Sequence, residues 1–174
     1  MATNKDPAYT QEPRRLIVIE TLGGELGKYT DSFKSTLSQR IKDCSIQANY
    51  IMQPAVPAGT AVNEDVVKAW REKENAFIRQ FGPDTLLGIT QTRYTRRTVS
   101  NQYGVLSSHI AQITYELELF DVRSNKTVWK ALVTLDTHFG LIEVGDAGAE
   151  LANTVIGKLE QDQIFHACPR VAAH

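Results

Sequence analysis

Ala111, Ile113, Tyr115, Leu117 and Leu119 alternate with Gln112, Thr114, Glu116 and Glu118, so residues 109–121 carry one apolar and one polar side. Only an extended backbone has a side-chain period of two. After the connection RSNK the alternation resumes in Trp129, Ala131, Val133 and Leu135, over residues 127–137. Asn125 tolerates the left-handed conformation, which makes that polar connection a tight turn. The two runs therefore form an antiparallel hairpin with one face in a core and one in water. Everything else in the chain must supply the layer that covers the apolar face.

Residues 86–98 predict a third strand of this meander. It starts apolar with Leu86, Leu87 and Ile89 and turns basic at Arg93, Tyr94, Arg96 and Arg97, so its far end projects beyond the core. Upstream, residues 16–21 read as a short strand buried on both faces. Thr30 or Asp31 then caps a helix with Phe33, Leu37, Ile41 and Cys44 on one side, ending at 43–45. A strand at 48–52 and a Pro/Gly loop at 54–63 follow. Val66, Trp70, Phe77 and Phe81 predict the apolar stripe of a second helix, stopped by Gly82-Pro83. A last helix begins within 144–147 and carries Ala147, Leu151, Val155 and Leu159, with 163–168 as a short extended tail. The order strand, helix, strand, helix, three antiparallel strands, helix predicts an α/β fold: a mixed sheet with helices packed on it. We divide the 174 residues into a flexible leader, 1–13, a single α/β domain, 14–168, and a tail, 169–174.

Charge narrows the function classes. With 19 basic and 20 acidic residues there is no overall field to attract nucleic acid. Arg93, Tyr94, Arg96 and Arg97, with Tyr103 nearby, interleave arginine and aromatic rings; a protein interface ranks first for this patch, plain solvation second and nucleic acid third. The two cysteines, Cys44 and Cys168, have no zinc-ligand spacing. A disulfide between them requires the chain ends to meet, and two buried free thiols are the commoner arrangement. The four histidines are scattered, with no HExxH and no i, i+4 pair, so neither a metal nor another cofactor is expected. No apolar run is long enough to span a bilayer.

The stretch IETLGGELGKYT, residues 19–30, leaves a buried strand for a helix, as a phosphate loop does. The phosphate-loop pattern needs four residues between its first glycine and its Gly-Lys pair, then Ser or Thr for magnesium. Here Gly24, Glu25 and Leu26 alone separate Gly23 from Gly27, and Tyr29 stands at the hydroxyl position. A glycine-assisted turn is the better reading. Glu116 and Glu118 share a strand face, as do Asp136 and His138. A solvated face explains these pairs better than acid–base catalysis, and no GxSxG motif is present.

The run FGPDTLLGITQTRYTRR, the strand and turn LELFDVRSNKTVWKA and the helix AELANTVIGKLEQD together resemble a group of bacterial envelope lipoproteins. The group includes the curli-secretion lipoprotein, the lipoprotein activators of penicillin-binding proteins and the Pel polysaccharide export lipoprotein, with the amino-terminal domain of TolB as a relative. Its recurrent features fall on Pro83, Asp84 and Gly88, and on Asp121, Ser124-Asn125, Val128 and Trp129, with Ser124-Asn125 replacing the Thr-Gly often found in that turn. The resemblance spans residues 16–163. It implies an α/β sandwich exported to the periplasm, a lipidated cysteine anchoring it, and action by binding proteins or assembling into rings, without catalysis. No such cysteine stands near the start, and we take Met1 to occupy its place.

The reading expected is therefore a non-enzymatic periplasmic accessory or regulatory lipoprotein, anchored at the outer membrane. It would act through an envelope protein complex or its own copies, with Arg93, Tyr94, Arg96, Arg97 and Tyr103 as the partner-binding residues. The alternative is a small-molecule or nucleotide-binding domain that uses the glycines after the first strand.

Overall fold

Leu16, Ile17 and Val18 are completely shielded from solvent, which places their strand in the interior of a sheet rather than at its rim. The computed structural model describes residues 3–21, 30–53, 64–100, 107–139 and 146–166. In chain order the elements are β1 (Thr3–Lys5), β2 (Arg15–Thr21), α1 (Thr30–Asp43), β3 (Gln47–Met52), α2 (Glu64–Phe81), β4 (Thr85–Ser100), β5 (Ser107–Asp121), β6 (Lys126–Phe139) and α3 (Ala147–Gln161). The six strands form one sheet in the order β1-β6-β5-β4-β2-β3. β2 runs parallel to both neighbours, β3 and β4, and the remaining pairs are antiparallel. The predicted mixed α/β sheet is thus present, with one strand added at its edge.

Strand register sorts the side chains into two faces. Val18 lies opposite Leu87, which lies opposite Leu119, which lies opposite Trp129. This row, with its neighbours two residues on, joins Phe33, Leu37 and Ile41 of α1 and Leu151, Val155 and Leu159 of α3 in one core. α1 keeps Asp31 in its first turn and Arg40 and Lys42 in its last, matching the helix dipole. Ser45 then takes φ 61 and ends the helix. Asp146 caps α3 by accepting from the Gly148 and Ala149 amides at 2.9 and 3.2 Å, and the Ser32 hydroxyl of α1 donates to the same carboxylate at 2.6 Å. That hydroxyl, together with the two amides, holds the Asp146 carboxyl below its usual range.

α2 lies on the other side of the sheet. Arg15, on the same side of β2 as Ile17, donates to the Phe81 carbonyl and stacks 4.8 Å from the centre of its ring. Gly82, at φ +60 and with its amide 2.9 Å from the Ile78 carbonyl, ends the helix as expected. The inward stripe differs from the prediction. Phe77 is 37% exposed, while Val67, Trp70, Glu74, Ile78 and Phe81 are half-buried; the side chain of Val66 lies outside the description. The helix is turned toward Glu74, which accepts from Gln53 of the segment after β3 at 3.4 Å.

Three further expectations are corrected. The leader is tied down: β1 pairs with residues 129–131 of β6, the Asp6 amide donates to Val128 at 2.8 Å, and Tyr9 and Pro13 are buried. Its strand escapes periodicity because an added edge strand needs only backbone partners. The segment after α3 is a turn, not an extended tail. Gln163 takes φ 55, and the Ile164 and Phe165 amides return to the Leu159 carbonyl, burying both side chains. Cys44 is disulfide-bonded instead of free; Cys168, the only other cysteine, lies outside the described residues.

A basic arm and a buried carboxyl

Above the body of the sheet, β4, β5 and β6 continue as a three-stranded arm. Among the described residues, β2 pairs with β4 as far as Thr90, and β1 pairs with β6 as far as Ala131. At the base of the arm the β4–β5 register slips between Gln91 and Arg93, leaving Thr92 as an extra residue whose hydroxyl donates to the Thr114 carbonyl at 3.3 Å. Past the bulge, Tyr94 lies opposite Ile113 and Arg96 opposite Ala111, both buried on the helix side. Arg93 lies opposite Thr114 and Thr95 opposite Gln112, the solvated side, which Arg97 shares by alternation.

The proposed patch is therefore divided by the sheet. Arg93 and Arg97 stand on the outer face, and Tyr94, 36% exposed, and Arg96 on the helix face. Tyr103 lies outside the described residues. Arg93, Arg96 and Arg97 are all exposed, and none has an ion-pair partner among the described residues. Within β4 no Asp or Glu offsets them.

The acids considered for catalysis are engaged elsewhere. Lys130 on β6 lies 3.8 Å from Glu116 and 3.3 Å from Glu118, and the Thr127 hydroxyl donates to Glu118 at 2.5 Å. Asp136 accepts from Gln112 at 3.0 Å; the side chain of His138 is outside the described set. This is the solvated, cross-linked face of an alternating hairpin. Among the described residues no group of three or more His, Cys, Asp or Glu is placed to hold a metal ion, and no described helix is long and apolar enough to cross a membrane.

The residues carrying the family resemblance build structure. Asp84 accepts from the Arg14 amide at 3.0 Å and from the Thr85 hydroxyl at 2.6 Å, while its own backbone bridges Arg15 and Val122. Asp121 accepts from the Ser124 amide at 3.0 Å, closing the turn in which Asn125 takes φ 54. Burial pushes the Asp121 carboxyl up, but bonds from Ser124 and Arg123 outweigh it and leave it lowered. The Trp129 indole donates to Asp162 at 2.8 Å, and Lys158 holds the other oxygen of that carboxylate at 3.0 Å. A Cβ at Gly88 would meet the Glu118 carbonyl at 3.7 Å, an ordinary contact.

One polar residue went unmarked in the sequence reading. Glu20 is 1% exposed, lies between Met52 and Ile89 on the helix face, and has no hydrogen-bond partner for either carboxylate oxygen among the described residues. Burial raises its pKa to about 7, against a weaker opposing pull from Lys34. The signal was available: in LIVIE the acid falls in phase with Leu16 and Val18. Residues 22–29, the candidate phosphate loop, lie outside the described residues.

No family model matches the chain, and no curated protein does. Solved structures do. The chain is similar to the PelC dodecamer from Paraburkholderia phytofirmans, at 18% identity and a TM-score of 0.50, over 95% of this chain and 97% of that one. It also matches lipoprotein GNA1162 from Neisseria meningitidis at 13% identity and a TM-score of 0.44, over 87% and 98%. The rare lipoprotein B from Shewanella oneidensis matches at 7% and 0.42, over 86% and 96%. The PelC likeness runs nearly end to end in both chains and shows a shared fold.

Proposed function

We propose that this chain is a non-enzymatic accessory or regulatory lipoprotein of the bacterial envelope. In this reading it is exported to the periplasm, held at the outer membrane by a lipid, and acts by protein–protein interaction in envelope assembly or secretion. Arg93, Tyr94, Arg96, Arg97 and Tyr103 form its partner-binding surface. The observation that carries the reading is the arm: three exposed arginines without ion-pair partners among the described residues, beside Tyr94, 36% exposed, on the stretch of β4 beyond its described pairing with β2. Arg and Tyr are efficient interface anchors because each presents a large, shaped contact surface with a polar end. Asp121, Asp146 and Glu118 are by contrast tied into a turn, a helix cap and a hairpin pair.

Two observations support the setting. A disulfide at Cys44 suits an oxidising compartment such as the periplasm. The shared fold with PelC, a dodecamer, supports assembly of this chain into a homo-oligomer as part of its action.

Affinity capture from bacterial envelope extracts tests the reading, with the wild-type chain and an Arg93→Glu/Arg96→Glu/Arg97→Glu variant as baits. The wild type is expected to retain a specific partner that the variant loses while keeping its melting temperature. Equal recovery by both baits, or none by either together with a monomeric native mass, would overturn it.

A further inference from the structure

The arrangement of the arm's charges carries a more specific assignment, which rests on the reading of the arm as a partner surface. Arg93, Arg96 and Arg97 are spaced so that an extended backbone cannot put all three on one side. With the phase set by the Thr92 bulge, Arg93 and Arg97 occupy the outer face, roughly 13 Å apart along the strand, and Arg96 stands on the helix face with Tyr94. All four side chains are exposed. Compensating charge is sparse: from Thr92 onward in β4, before Tyr115 in β5 and after Val133 in β6, the sequence holds one acid, Asp136, which already accepts from Gln112. Three arginines against one aspartate make the arm a local positive site on a chain with 19 basic and 20 acidic residues in all.

The two-sided placement selects the kind of partner. An anionic bilayer presents a plane of headgroups, so it engages one face of a sheet and leaves the cations of the other face in water. Two arms brought together would set arginine against arginine, which disfavours arm-to-arm pairing. A protein cleft walled by Asp and Glu meets both faces at once, pairing carboxylates with the guanidinium forks while its wall packs on the Tyr94 ring. We propose that the arm inserts into an acidic cleft of a partner protein, which meets Arg93 and Arg97 with one wall and Arg96 and Tyr94 with the other.

The test places a photo-crosslinker on each face. Benzoylphenylalanine replaces Thr95 on the outer face, or Tyr94 on the helix face, of the full chain, which is then irradiated in bacterial envelope extract. Both positions are expected to join the same protein, through peptides containing Asp or Glu. Oligoglutamate should compete with the crosslink and oligoglutamine should not, and added salt should weaken it. Arg96→Gln and Arg93→Gln/Arg97→Gln should each reduce the yield from both positions, by about threefold and about tenfold, with the melting temperature unchanged. Crosslinks from one face alone, to different proteins from the two faces, or insensitive to oligoglutamate would overturn the proposal, as would none from either face. Arginine-dependent sedimentation with phosphatidylglycerol vesicles would overturn it in favour of a membrane, and crosslinks between copies of this chain in favour of self-assembly. Failure here with arm-dependent capture from envelope extracts intact removes the cleft and leaves the functional reading standing.

Discussion

α1 and α2 cover opposite sides of the same parallel strands, yet they are fastened very differently. α1 is the shorter, and its Phe33, Leu37 and Ile41 are completely buried between the sheet and α3. α2 is the longest helix described and carries Trp70, Phe77 and Phe81, but none of its described residues reaches full burial. The difference lies in what each faces. α1 has α3 beside it, joined through Ser32 and Asp146 and through Arg40 and Glu160, the last pair at 3.5 Å. Among the described residues α2 is held to the β2–β3 end of the sheet by Arg15 on Phe81 and by Gln53 on Glu74. An amphipathic pattern identifies which side of a helix turns inward; the depth of burial depends on how many surfaces converge there.

The largest effect should come from the core of α1. Leu37→Ala is expected to lower unfolding free energy by about 2–5 kcal/mol, measured by urea denaturation, because the cavity is walled on all sides. A loss no greater than that from a substitution on α2 would end the contrast.

Next comes the acid beneath the α1 layer. Burial raises the Glu20 pKa in the folded chain to about 7 from an ordinary 4.5, so between those limits the folded chain holds a proton that the unfolded chain has released. Stability is therefore full below about pH 4.5, falls as pH rises through the window, and levels off lower above about 7, by roughly 3 kcal/mol in all. Glu20→Gln should flatten the profile and raise the urea midpoint at pH 8. An unchanged profile would show that the carboxyl is solvated or paired.

The cap joining α1 to α3 ranks third: Asp146→Ala should cost about 1 kcal/mol. The smallest effect belongs to α2, where Phe77→Ala should stay within about 0.5 kcal/mol by the same measurement. A larger loss would mean that the exposed ring is covered in solution.

Legibility followed periodicity. Strict alternation with a polar turn located β5 and β6, and a four-residue apolar run between turn signals located β2 in the sheet interior. What escaped has no period to read. β1 is three polar residues that bond through backbone alone. The Thr92 bulge changes which face the arginines take, yet Thr-Arg-Tyr-Thr-Arg-Arg alternates equally well in either phase. A mean over LIVIE hides one acid among four apolar residues, although Glu20 is buried with neither carboxylate oxygen bonded among the described residues. The bonding of Cys44 depended on three-dimensional proximity, which spacing along the chain cannot express.

The two ends of the described chain are neighbours. Lys5 donates to the Asp162 and Gln163 carbonyls at 3.1 and 3.0 Å, and the Glu12 carboxylate accepts from the His166 amide at 2.9 Å. A short linker across that gap would close the backbone into a ring, and the exposed turn at Val122–Asn125 would be a place to reopen it. The molecule is thus a candidate for circular permutation: its ladders would survive a change of starting point, and new termini could be moved toward or away from the arm.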